Sequence, residues 1–405
     1  ARLIKSICKV PIIFGGIHVT SCPEEVIKND FVDYAVLGEG EQAVVDLVEN
    51  PKKTSIKNTW VKKNGKIIKN PLRNLLANLD ELPFPDRMLY HAEAPFLKDV
   101  YHCMTSRGCP FGCTYCFNNF MRKLYKNKGQ WLRRRSVDNV IQELKIMKEK
   151  LKYKQILFVD DCFTNDIKWL SEFIKKYKKE IDVPFKAIAH PFFINKQIVS
   201  ALKEGGCIRL QLGVQTPIER VRRDICKRCD SNKVIENAVR EIKKQGISFQ
   251  VDHIFGLPGE KIKDYEKGIE FYINLKPNYI SSFWLQYYPC TEIIETGRKS
   301  GEFDEADFEK TISGKLRYED IVKKRIQNSE LLAIAHFFSW IPLLPRGVSR
   351  YLLKKRLYKR LFSNEKINKI PYIIHHLSSL ELIKTALISA RRKRLMKLYV
   401  SRYQK

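Results

Sequence analysis

Between Val100 and about Gln286 the chain alternates short apolar runs with longer stretches whose apolar residues recur on one helical face. The runs are Val100–Thr105, Gln155–Val159, Phe185–Ala189, Ile208–Leu212, Ser248–Ile254 and Tyr279–Leu285. Apolar runs of this length, bounded by turn residues, suit buried parallel strands. After the first of them, Val137, Val140, Ile141, Leu144, Met147 and Leu151 fall on one side of a helix, with Ser136 placed to cap it. Six strand–helix units predict an open or partial (β/α)6 barrel. In such a barrel chemistry belongs at the C-terminal ends of the strands.

The N-terminal stretch follows similar α/β logic. Val10–Phe14 reads as a strand ending in Gly15-Gly16, Pro23 to Lys28 as a short helix and Asp33–Leu37 as a second strand. Gly38-Glu39-Gly40-Glu41 then leads into a helix over Gln42–Val48. Two strands do not make a stable sheet, so residues 1–50 read as part of a larger α/β domain. Residues 51–98 read as a connector. Asn64-Gly65, between Thr59–Val61 and Lys66–Ile68, signals a hairpin, and Pro83, Pro85 and Pro95 interrupt regular structure.

Composition narrows the classes. With 405 residues and 44% hydrophobic content the chain has material for a large core, which excludes disorder over most of its length. Lysine and arginine number 74 against 45 acids, a net charge of +29. Such an excess attracts polyanions, or covers a solvated surface. Residues 346–405 carry 17 Lys/Arg and only Glu365 and Glu381. There Leu353, Leu357 and Leu361 recur among the cations, and a further run, Arg391-Arg392-Lys393-Arg394, follows. This basic helical region (311–405) suits an anionic membrane surface or a helical cap; nucleic acid lacks a binding module here. No apolar run reaches bilayer length. Eleven cysteines without a secretory pattern read as a reduced, metal-binding cytoplasmic protein, placed in the cytoplasm or against the inner face of its membrane.

Just past the first barrel strand stands Arg107-Gly108-Cys109-Pro110-Phe111-Gly112-Cys113-Thr114-Tyr115-Cys116. Thiolates are the preferred ligands of iron–sulfur clusters, and three of them leave one iron of a cube open. The alternatives are buried cysteines acting as small hydrophobes, and a zinc site, which usually takes four protein ligands. Cys226-x2-Cys229 reads as part of a basic surface stretch, and His190, at the end of the third strand, as an acid, base or substrate contact, or a plain hydrogen-bonded histidine.

The C-x3-C-x2-C loop with an aromatic before its last cysteine resembles the radical S-adenosylmethionine (SAM) superfamily. The resemblance implies a [4Fe–4S] cluster on Cys109, Cys113 and Cys116, with SAM on the fourth iron and Tyr115 near its adenine. It extends to Asp160-Asp161 after the second strand, to Gly213-Val214-Gln215-Thr216, to Ile254-Phe255-Gly256-Leu257-Pro258-Gly259-Glu260 and to Tyr288-Pro289-Cys290-Thr291. It assigns SAM contacts to Asp160, Asp161, Gln215, Ile254, Gly256 and Gly259. Gln215 stands where the family usually has glutamate, and Cys290 where it usually has glycine.

The N-terminal pattern resembles the second half of a flavodoxin-like cobalamin-binding domain, with Gly15 and Gly16 against the cobalamin tail. The D-x-H-x-x-G motif of many members is absent. The resemblance implies a barrel over 99–310 that cleaves SAM reductively and abstracts hydrogen from a small or lipid-like substrate. Cobalamin-dependent methyl transfer or ring formation, as in anaerobic porphyrin cyclases, would follow. A flavodoxin or ferredoxin would supply electrons. The rivals are a tRNA methylthiotransferase and a non-catalytic basic adaptor on membrane or RNA.

Overall fold

The computed structural model describes residues 1–8, 10–90 and 99–363, with Pro371 alone beyond them. The first sheet has the order β1-β2-β3-β4: Ile13–Phe14, Tyr34–Val36, Thr59–Lys63 and Lys66–Lys69. β1 and β2 are parallel, β2 and β3 antiparallel, with Tyr34 opposite Val61. The hairpin expected in the connector is therefore the missing half of the sheet. It supplies the strands that two N-terminal runs alone lacked. Val26, Ile27, Val32 and Ala35 are buried in this small core. Leu3, Ile4 and Ile7 on the helix Arg2–Ile7, with Val10 and Ile13, are exposed.

The main sheet contains β5 (Val100–Cys103), β6 (Gln155–Phe158), β7 (Phe185–Ala189), β8 (Cys207–Gln215), β9 (Ser248–Phe255) and β10 (Tyr279–Trp284). All neighbours are parallel and stand in sequence order. This is the partial barrel wall, and it puts every strand's C-terminal end along one rim. Alternation sorts the side chains. Ile156, Phe158, Ala187, Leu210, Leu212, Phe249 and Val251 are buried in the helix-side core, while Gln211, Gln250 and Asp252 point to the other face and stay half-buried.

The crossover helices start where the sequence places capping side chains. Ser136, Asp166, Asn195 and Ser231 each accept a backbone N–H from three residues on, at 3.0–3.3 Å. Each such cap is worth about 1 kcal/mol. The aromatic centre of the core is Phe158, Phe163, Phe173 and Phe185, all fully buried; truncating one to alanine costs roughly 3–5 kcal/mol.

The described C-terminal helices belong to the same core. Phe338, on the helix Ser329–Trp340, packs on His253 and Phe255, and Phe337 stacks with Tyr358 and Phe362. The expected boundary near residue 310 is thus crossed by shared packing. The run Arg391–Arg394 lies outside the described residues. No helix among the described residues is long and apolar enough to cross a membrane.

Candidate functional site

The cysteine loop leaves β5 through a two-residue ribbon in which Ser106–Arg107 pairs antiparallel with Arg133–Arg134. Gly108 follows at φ +90°, where a Cβ would lie 2.5 Å from the Trp131 carbonyl oxygen, so only glycine fits without displacing backbone. Trp131 also donates its indole N–H to the Cys109 carbonyl, at 3.0 Å. Cys113 is buried, Cys109 and Cys116 half-buried. Cys116 sits at the N-cap of the helix Phe117–Leu124. Burial pushes the Cys109 thiol up to about 12 and the Cys116 thiol up to about 11. Thr114 pins the loop's back, donating its N–H to Cys226 O at 3.2 Å and its hydroxyl to Ile225 O at 2.6 Å.

The residues expected at the other strand ends divide. Asp161 is exposed, and burial of its carboxyl group still raises its pKa against a hydrogen bond from Asn118. Asp160 corrects the expectation of a SAM contact. It is fully buried and accepts hydrogen bonds from the Thr105 N–H (3.1 Å), the Thr105 hydroxyl (2.7 Å) and the Ser106 hydroxyl. It buttresses the ribbon into the cysteine loop instead of facing a ligand. Gln215 is at φ +67°, and its amide folds back over Gly213. Tyr115 and Ile254 pack on one apolar cluster with Val221, Cys226, Leu257 and Leu285. Gly256 donates its N–H to Tyr265 Oη at 3.0 Å, and Gly259 donates to Glu302 at 3.2 Å. Gly15 packs near Val36, and the space around a Cβ on Gly16 is open to 4 Å.

His190 stacks on Phe111 of the cysteine loop, ring centroids 3.8 Å apart, and its Nδ1 accepts the Phe192 N–H at 3.2 Å. Burial, then the charge of Arg228, pushes its pKa down to about 3. It is neutral at physiological pH and braces the loop, a poor position for an acid.

Arg228, Asp230 and Asp252 escaped the sequence reading. Arg228, within the stretch read as basic surface, is buried. Its guanidinium donates to Gly213 O (2.7 Å), to Asp230 (3.1 Å) and to Tyr115 Oη (3.4 Å). Burial opposes the Asp230 charge, and Arg228 holds that carboxyl below its ordinary range. Asp252 lies on the helix-free face of β9, level with Gly213 and Ser281. Its Oδ2 accepts from Gln211 at 2.8 Å; its buried Oδ1 has no partner among the described residues. Burial pushes its carboxyl up to about 6. The available signal was a polar residue at every second position of Gln250-Val251-Asp252, inside an apolar strand. Cys226 is buried and Cys229 exposed, so the pair does not form one site.

The arrangement offers soft sulfur donors on one loop, and beside it an apolar strip and an unfilled acceptor. Among the described residues no three His, Cys, Asp or Glu converge as ligands of a single ion do. Three thiolates gripping separate corners of a cube need not converge.

Residues 104–272 match the family model described as the Radical SAM superfamily. An uncharacterised methyltransferase of Pyrococcus horikoshii is 32% identical over 307 residues, 73% of this chain and 65% of that protein. Cytidylyl-2-hydroxyethylphosphonate methyltransferase of Streptomyces wedmorensis is 22% identical over 64% of this chain and 55% of its own length. Anaerobic magnesium-protoporphyrin IX monomethyl ester cyclase of Rubrivivax gelatinosus is 23% identical over 72% and 54%. The chain thus spans just over half to just under two thirds of these relatives. Among solved structures, the radical SAM methyltransferase TsrM of Kitasatospora setae, with cobalamin and a [4Fe–4S] cluster bound, superposes with a TM-score of 0.60 at 16% identity, covering 73% of this chain and 59% of that one. At that identity the likeness establishes the fold.

Proposed function

The chain carries a radical SAM domain over residues 104–272, and from that premise we propose that the protein is a radical SAM enzyme that transfers a methyl group to an organic substrate. Cys109, Cys113 and Cys116 would hold a [4Fe–4S] cluster, the observation that carries the reading being three thiols on one loop at the C-terminal rim of a parallel barrel wall. When bound, cluster and SAM together supply reductive cleavage of a sulfonium and a carbon radical that abstracts hydrogen. The chain's own residues bind and orient. Tyr115 and Ile254 offer an apolar strip to a nucleobase, and Gly256 and Gly259, both at positive φ, shape the loop beside it. Asp252, with one oxygen unpartnered among the described residues, and Gln215 suit the donors of a ribose diol. Asp161, exposed just past β6 and hydrogen-bonded by Asn118, suits the charged methionine end of SAM.

Residues 1–70 fit the later part of a cobalamin domain in two respects. The backbone at Gly16 is open to a ligand, and Gly15-Gly16 directly follow β1, which pairs in parallel with β2. Two of the three relatives named above are methyltransferases, which favours methyl transfer over ring closure. A small reducing protein supplies the electron. The helices Arg346–Lys354 and Tyr358–Leu361 and the turn between them expose Val348, Tyr351, Leu357 and Leu361 among Lys354, Lys355 and Arg360, a composition suited to resting on anionic lipid.

The test is an anaerobic assay for 5′-deoxyadenosine with a chemical reductant. The reconstituted chain should form it, and Cys113→Ala should abolish it. Formation by the alanine variant at the wild-type rate would defeat the reading.

A further inference from the structure

We infer that residues 38–41 of the N-terminal unit bracket the cysteine loop at both ends, with Glu39 as its positioning residue. At the entry, Arg107 stands two residues before Cys109 and pairs with Arg133 across the ribbon. Glu39 binds both sides of that ribbon. Its Oε1 and Oε2 accept a two-pronged bond from Arg133 at 2.6 and 3.0 Å, and Arg107 reaches Oε1 at 3.2 Å. Glu41 takes the other arm of Arg107. At the exit, the helix that Cys116 caps at its start is capped at its end by Tyr125, whose Oη accepts the Glu39 backbone N–H at 2.9 Å. Contact there is so close that a Cβ on Gly38 would lie 1.8 Å from the same oxygen.

The bracket is built rather than incidental. The Arg133 side chain is only 3% exposed and also donates to the Leu76 carbonyl. The Glu39 carbonyl accepts from Asn58, and Thr20 accepts the Gly38 N–H. Burial alone would raise the Glu39 carboxyl; Arg133 and then Arg107 outweigh it and hold the group below its ordinary range. Two parallel N–H···O bonds to a carboxylate fix orientation as well as distance. Removing the charge leaves two guanidiniums facing one another, one of them buried, which is costly. The acidic motif therefore works toward the barrel, setting the path of the backbone into and out of the three cysteines.

The functional consequence, that Glu39 governs how firmly the loop holds its cluster, rests on the proposed function; the bracket itself does not. Alkylation of the metal-free full chain, followed cysteine by cysteine by mass spectrometry, separates the two. In Glu39→Gln the rates at Cys109 and Cys116 should rise several-fold. Exposed Cys229 and buried Cys207, which reports global opening, should keep their wild-type rates. Unchanged rates at the loop, or an equal rise at Cys207, would overturn the inference. In reconstituted protein the variant should lose iron to a chelator several-fold faster than wild type, and equal loss rates would overturn the consequence. A wild-type chain that takes up no iron would instead overturn the proposed function, leaving the alkylation result to stand alone.

Discussion

At the scale of single residues, backbone and burial divide the work around the loop. Gly108 combines φ +90° with a neighbour that leaves no room for a Cβ. Gly108→Ala should therefore cost roughly 1–3 kcal/mol in denaturant unfolding and lower iron uptake on reconstitution. A variant as stable as wild type would show that the loop relaxes. The cysteines were readable because thiol spacing is written locally. Asp160 and Asp161 were not separable, because both lie past the strand end at Phe158, where periodicity no longer says which carboxylate turns inward. Only the hydrogen bonds from Thr105 and Ser106 show that Asp160 is spent on the scaffold. Arg228 was hidden for a similar reason: a basic run does not reveal which guanidinium folds inward.

At the scale of elements, the strand–helix alternation was legible because four of the crossover helices are amphipathic and start at a capping side chain. The two-residue ribbon was not, since two-residue pairing leaves no periodic trace. The loops after β8 and β9 are joined by Glu260, whose Oε1 accepts the Thr216 hydroxyl at 2.7 Å. Burial pushes the Glu260 carboxyl up to about 7 from its ordinary 4.5. Between those pH values the folded state binds the proton and the unfolded state has released it. Stability should fall as pH rises through that window and level off above it, by about 3 kcal/mol in all. Glu260→Gln should flatten this part of the profile in unfolding measured from pH 4 to 8. An unaltered slope would place the dependence elsewhere.

At the scale of the molecule, three sequence regions prove to be less separate than composition suggested. The connector hairpin completes the N-terminal sheet, the C-terminal helices pack into the barrel core, and Glu39 ties the first unit to the cysteine loop. Long-range contacts of this kind have no local signature, so the chain's order of motifs was readable while their mutual support was not. The proposed lipid-facing helices give a further expectation. The chain should co-sediment with vesicles rich in anionic lipid, and not with zwitterionic ones; Lys354→Glu with Lys355→Glu should weaken binding several-fold. Equal binding to both lipid types would remove the membrane role.

One loop holding an iron–sulfur cube with a corner free for SAM should be visible by electron paramagnetic resonance of the anaerobically reconstituted, reduced chain. A [4Fe–4S] signal whose shape changes when SAM is added is expected, with its loss in Cys109→Ala. A chain that binds no iron, or a cluster signal indifferent to SAM, would contradict that arrangement.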